Sequence, residues 1–306
     1  MRRQECDEKL LLHPSSFRLH PFLMTPFDKL AAAEARSRFA SEVLQPDSAV
    51  SLARAALLVG AEEEPRACDV GRCLARLDEL GEQARARIAR ADGSAVEALN
   101  RYLFDEQRFE GNEADYYDPR NSMLHRVLER RAGIPITLSI VYIEVGRRAG
   151  LSVEGVGLPG HFIVRVLDVE GGKVLVDPFN RRVTDREECQ RRLDVIYEGK
   201  VGLMDEHLRA VGARSILARV LGNLKAVYVQ AQLFRRALAA VERILLINPH
   251  DLDERRDRGM ILAQLGRMPQ AIAETQSYLN LAPDAMDADA VREQLKKMRI
   301  RQAMLN

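Results

Sequence analysis

The chain has 306 residues, enough for about two domains, and its hydrophobic fraction of 46% suits folded cores. Forty-six Lys plus Arg stand against 45 Asp plus Glu, a net charge of +1 at pH 7, which leaves no basic excess for a nucleic-acid footprint. No run approaches the roughly eighteen apolar residues of a membrane-spanning helix. Residues 1–27 carry neither helical nor strand periodicity, and Leu10–Leu12 is too short a run for a signal-peptide core. Met24-Thr25-Pro26 reads as an alternative start, and patterned sequence begins at Asp28.

From Asp28 to Phe109 the spacing predicts helices. Leu52, Ala55, Ala56 and Val59 line one, with Gly60 as its expected end. Leu74, Leu77 and Leu80 line a second, expected to stop at Gly81-Glu82-Gln83, and Val96, Leu99, Leu103 and Phe104 line a third. The loop Glu62–Pro65 is expected to place acidic groups at a helix start, where they favour the helix dipole. The Arg-rich patch 85–90 reads as a solvated helix face. These helices are expected to pack on the core that follows rather than to form a separate domain.

Tyr116–Ser122 reads as a turn built by Asp118-Pro119, with Asn121 or Ser122 capping a helix to Arg131. Tyr116, Tyr117 and Asn121 are candidate binding residues; for the tyrosines, half-buried anchors and walls of a groove are both open. After Gly133-Ile134-Pro135, a helix over Ile136–Ala149 is apolar nearly all round, which marks a buried central element. Pro135 suits its first turn and Gly150 the position past its end. Two strands are predicted next, Phe162–Leu167 and Lys173–Val176, the first opened by His161 and the second closed by Asp177. A five-residue loop, Leu167–Gly171, would pair Arg165 with Lys173 and His161 with Asp177, setting the apolar residues of both strands on one face.

From Ala213 onward a repeat is visible. Ala237 and Ala271 are 34 residues apart, as are Pro249 and Pro283. That is the period of tetratricopeptide (TPR) repeats, here two, with a closing helix Ala288–Met304. Cys6, Cys68, Cys73 and Cys189 form neither a C-x-x-C pair nor a disulfide framework, so reduced thiols in a cytoplasmic protein are expected. Cys68 and Cys73, five apart, do not suit one helical face and predict no metal site.

Buried helix, strand opening on His and strand closing on Asp-Pro is the order of the transglutaminase-like, papain-related core. Gly111-Asn112, Tyr116–Ser122, Arg131–Pro135 and Gly157–Phe162 together resemble the SirB family of bacterial transglutaminase-like/TPR proteins, over roughly residues 28–300. The resemblance implies an α+β fold: a helical N-terminal region, a papain/transglutaminase-like core with an antiparallel sheet over 28–212, and an all-α TPR array over 213–306. It also implies a Cys nucleophile at the start of the central helix, with His161 as base and Asp177 orienting it. Counting back from Gly150 puts that Cys at Pro135, which has no group to activate.

Two functions follow. One is a non-catalytic scaffold with His161 and Asp177 as a vestigial dyad, which binds a protein or peptide through its repeats. The family is often labelled as regulating expression, and the charge balance argues against direct DNA contact. The other is a hydrolase or acyl transferase with a displaced nucleophile, Ser139, one helical turn beyond Pro135 on the same face. A serine there also commonly bonds back to the carbonyl four residues earlier. Cys189 is a further thiol that the following segment could bring near. No cofactor or metal is implied.

Overall fold

The computed structural model describes residues 25–167 and 172–304. The alternative start at Met24 lies outside the described residues. Four helices come first: α1 (Pro26–Val43), α2 (Leu52–Glu63), α3 (Val70–Ile88) and α4 (Ala95–Asn100). Ser51, Asp69 and Ser94 cap the last three by accepting from the amides of Arg54, Arg72 and Val96. α4 runs on into a π-helical turn, Arg101–Glu106, that buries Tyr102, Leu103 and Phe104.

Gly60 and Gly81, each expected at the end of a helix, lie inside α2 and α3. At Gly60 a Cβ would sit 2.3 Å from Nδ1 of the buried His125, so α2 continues through a position where only a bare backbone lets the imidazole pack. Gly81 occupies the same kind of position in α3, beneath Arg148. The acidic loop also does something other than expected. Glu64 accepts from Arg126 at 2.6 Å and pairs with His125 at 2.9 Å, while Asp69 caps α3. Burial would raise the Glu64 carboxyl, but these two partners outweigh it and hold its pKa at about 2.

A short parallel pair, β1 (Glu110–Gly111) with β2 (Ala132–Gly133), brackets α5 (Leu124–Arg130). α6 (Pro135–Arg148) then begins on proline, which costs nothing at the first helical position. Pro135 through Gly146 are all buried, as the all-round apolar sequence requires. α6 packs on the antiparallel sheet formed by β3 (Ser152–Val156), β4 (Ile163–Leu167), β5 (Lys173–Asp177), β6 (Arg182–Thr184) and β7 (Ala210–Val211). The strand order is β6-β5-β4-β3-β7.

The β4–β5 register differs by two residues from the expected one: Leu167 pairs with Lys173 and Val164 with Val176. A shift of two preserves the alternation of faces, so the apolar set still packs together. The reason for the difference is Arg165. The expected pairing opposed it to Lys173; the observed one sets it opposite Leu175, and on its other side Glu154 of β3 faces it and accepts from its Nε at 2.9 Å.

α7 (Arg186–Tyr197), capped by Asp185, follows β6. Residues 51–216, with 25–39, make one compact unit, and residues 217–304, with 40–50, make another. The second unit holds most of α8 (Ala213–Gln230), then α9 (Phe234–Ile247), α10 (Leu252–Gln264), α11 (Met268–Leu281) and α12 (Ala288–Ala303). Ala237 and Ala271, the repeat's matching alanines, are both fully buried. Among the described residues no helix is long and apolar enough to cross a membrane.

Candidate functional site

The start of α6 and the facing ends of β4 and β5 are tied together by a chain of contacts that begins at Thr137. Its hydroxyl accepts from the amide of Ile134 and donates to the carbonyl of Asn121 at 2.6 Å. Asn121, expected as a helix cap, caps nothing. Asp118 caps the 3-10 turn Pro119–Ser122, and Met123 precedes α5 without a side-chain cap. Asn121 is instead fully buried. Its amide donates to the carbonyls of Asp115 (2.7 Å) and Tyr116 (3.2 Å), and its side-chain oxygen accepts from Asn112 (3.0 Å). That network clamps the loop bearing Tyr116 and Tyr117 against the first turn of α6.

Aromatic edges continue the path. The Tyr116 ring meets Tyr117 edge-on at 5.4 Å and Phe179 at 6.1 Å, and Phe179 meets the His161 ring at 6.3 Å. Gly111 leaves room for Phe179, since a Cβ there would lie 2.7 Å from its ring. Tyr116 and Tyr117 are partly exposed, Phe179 is half-buried and His161 is buried. Solvent therefore reaches the tyrosines and stops short of the imidazole, a gradient that suits the wall of a groove.

His161 Nε2 lies 2.9 Å from Asp177 Oδ2. Continuing the β4–β5 ladder by one step sets Asp177 across from Ile163, so His161 shares its face two residues further along. Asp177 is heavily solvated by protein. Oδ1 accepts from the amides of Phe179 and Asn180, both at 3.1 Å, and Oδ2 accepts from Asn180 Nδ2 at 2.7 Å and Arg192 at 3.2 Å. Burial alone would raise this carboxyl; the bonds from His161 and Asn180 outweigh it, and the pKa falls below the usual carboxylate range. The group is thus a fixed anion that orients an imidazole, the arrangement used to hold a general base.

Pro135, where the resemblance places the nucleophile, has neither thiol nor hydroxyl. Pro135 is the first residue of α6. Ser139 Oγ is buried and has no hydrogen-bond partner among the described residues. It bonds neither to His161 nor, as expected of a helical serine, to the carbonyl of Pro135, which is the helix's own acceptor for residue 139. Cys189 lies in α7 packed against Val156, Leu158 and Ile163. Burial pushes its thiol up, a bond with Thr184 opposes this, and the nearby Asp177 adds to the rise, so it stays protonated near neutrality. Among the described residues no group of three or more His, Cys, Asp or Glu side chains is placed to hold a metal.

Sequence reasoning did not find Thr137, Phe179, Asn180 or Arg192. Asp-Pro-Phe-Asn does carry the signal of an Asx turn, in which a carboxylate accepts from amides two and three residues on. Nothing local marks Arg192.

A family model described as Transglutaminase-like superfamily matches residues 71–222, and one described as Tetratricopeptide repeat matches residues 224–296. The chain is 41% identical to a UPF0162 protein of Xylella fastidiosa over 65% of its own length and 72% of the relative's. It is 30% identical to a UPF0162 protein of Vibrio cholerae, over 74% of this chain and 83% of that one. Protein SirB1 of Salmonella typhimurium is 25% identical, over 76% and 86% respectively. No solved structure matches.

Proposed function

The chain belongs to the UPF0162 family, and from that premise we propose that it is a non-catalytic transglutaminase-like/TPR protein, cytoplasmic and without a cofactor, that acts as an interaction scaffold or regulator. The observation that carries this reading is Pro135 at the first position of α6, where the resemblance places the nucleophile, in a chain whose His161 and Asp177 side chains pair at 2.9 Å. Without a side-chain nucleophile the pair forms no covalent acyl-enzyme. The aromatic side chains that lead to this pair, Phe179, Tyr116 and Tyr117, then serve to hold a side chain or chain end rather than to cut one.

The second unit supports partner binding. Between α11 and α12 lies an open cavity of about 520 Å³ with Leu279, Leu295 and Ile300 along it and Arg292, Lys296 and Arg299 at its rim. Such a groove suits a peptide that carries both apolar and acidic side chains.

The test is active-site labelling of full-length protein with a fluorophosphonate and with an iodoacetamide probe. Scaffold function predicts no labelling that depends on His161. Labelling lost in both His161→Ala and Ser139→Ala would establish the other reading, a hydrolase with Ser139 as nucleophile. The Ser139 hydroxyl, buried and unbonded, is what keeps that outcome worth measuring.

A further inference from the structure

Two thiols stand apart from the site above. Cys68 lies in the turn after α2, and Cys73 in α3. Five residues do not span one helical face, but only Cys73 is helical. With Asp69 as the cap, Cys68 holds the position just before it and Cys73 the fourth helical position. Those two positions pack against each other across a helix start. The two thiols accordingly lie close enough for each to perturb the other's titration. Cys68 also donates to the carbonyl of Leu57 at 3.4 Å. Cys68 is buried, and Cys73 is partly exposed.

We propose that Cys68 and Cys73 are a modification site at which a hydroperoxide oxidises Cys73 and Cys68 then closes a reversible intramolecular disulfide. Exposure and charge divide the roles. Cys73 is the thiol that solvent reaches, near the positive end of α3. The bond from Cys68 lowers its pKa, burial opposes this, the Asp69 carboxylate opposes it too, and the neighbouring Arg72 guanidinium favours the thiolate. Cys68 is pushed the other way by the same contact, by burial, and by the carboxylates of Glu64 and Asp69. A partly exposed thiol whose thiolate is favoured, with a resolving thiol beside it, is the arrangement that ends at a disulfide instead of a higher oxide. Cys189 sits in the sheet core and takes no part.

The chemistry balances in two steps. The Cys73 thiolate attacks one peroxide oxygen, the O–O bond breaks, and the released hydroxide takes a proton to leave as water. Cys73 is then a sulfenic acid. The Cys68 sulfur attacks the Cys73 sulfur, the S–O bond breaks, and the departing hydroxide carries off the Cys68 proton as a second water. Two electrons pass from the thiols to the peroxide.

The experiment treats reduced full-length protein with about one equivalent of hydrogen peroxide, blocks free thiols and maps peptides. The expected product is a Cys68–Cys73 disulfide, lighter by two hydrogen atoms, reversed by dithiothreitol and formed at least about tenfold faster than any change at Cys189. In Cys68→Ser, dimedone should trap Cys73 as the sulfenic acid. A readout that needs no variant is the alkylation rate of Cys73 relative to a free cysteine peptide. A lowered pKa makes that ratio largest at low pH and smaller as pH rises through the ordinary thiol range. The proposal is overturned if Cys73 passes to a sulfinic acid without a disulfide, if Cys189 is oxidised first, or if the alkylation ratio does not rise toward low pH.

Discussion

Asp177→Asn probes the hydrogen-bonded centre most directly. The carboxamide keeps one oxygen, which can hold the two turn bonds from the amides of Phe179 and Asn180. Its NH2 then replaces Oδ2 and confronts the donors of Asn180 and Arg192, which lose their acceptor. A hydrogen bond to a charged group contributes about 1.5–3 kcal/mol. Arg192 is partly exposed and can turn to water, so its share is discounted, while the half-buried Asn180 amide keeps most of its own. The expected loss is about 2–4 kcal/mol at neutral pH. The pH dependence supplies a second check. The folded pKa of Asp177 lies below its unfolded value, so its stabilisation is complete above about pH 4 and is lost as pH falls through the folded value. The asparagine variant lacks that component, so the gap between the two proteins should narrow as pH falls below about 4. The chain has no Trp, and its tyrosines fall in both units, so fluorescence does not isolate this region. Amide hydrogen exchange, corrected for intrinsic rates and read on peptides spanning residues 161–181 and α6, does. Equal protection in the two proteins at neutral pH, or a gap unchanged at pH 3, would refute the reasoning.

Pro135→Cys should create a thiol that alkylates faster than a free cysteine peptide, since it would stand at a helix start; a rate no faster counts against this placement. Gly60→Ala should cost about 1–3 kcal/mol in urea unfolding despite alanine's better helix propensity, because the new Cβ overlaps the buried His125 ring. Ser139→Ala should leave stability unchanged or raise it by up to about 1 kcal/mol, since it removes a buried hydroxyl with no partner; a marked loss would mean that the hydroxyl is bonded. Lys296→Glu with Arg299→Glu should abolish binding of an acidic, leucine-containing peptide in fluorescence anisotropy, and the wild-type affinity should fall as salt rises.

The α+β class and the helical repeats were legible because each rests on a period within one segment. The apolar residues of Ile136–Val145 encircle their helix, so burial follows whatever surrounds it, and the 34-residue spacing of Ala237 with Ala271 is a pattern of the chain itself. Asp177 was legible as the end of a strand for the same reason, whereas His161 falls two residues before β4. Register was not. A slide of two residues keeps every side chain on its face, and only the third strand, with Glu154 opposite Arg165, separates the two pairings.

What the sequence by itself determined, then, is which segments are helical or extended and which of their faces are apolar, because period and propensity act over neighbouring residues. Tertiary structure alone decided what each polar or small residue is for. Gly60 reads as a stop until His125, distant in the chain, occupies the space its missing side chain leaves. Asn121 reads as a cap until the loop carrying Tyr116 folds back to its amide. Arg192 reads as one more surface charge until α7 brings it to Asp177. Hydrogen bonds and close contacts depend on distances of a few tenths of an ångström between atoms far apart along the chain, and no local pattern encodes those distances.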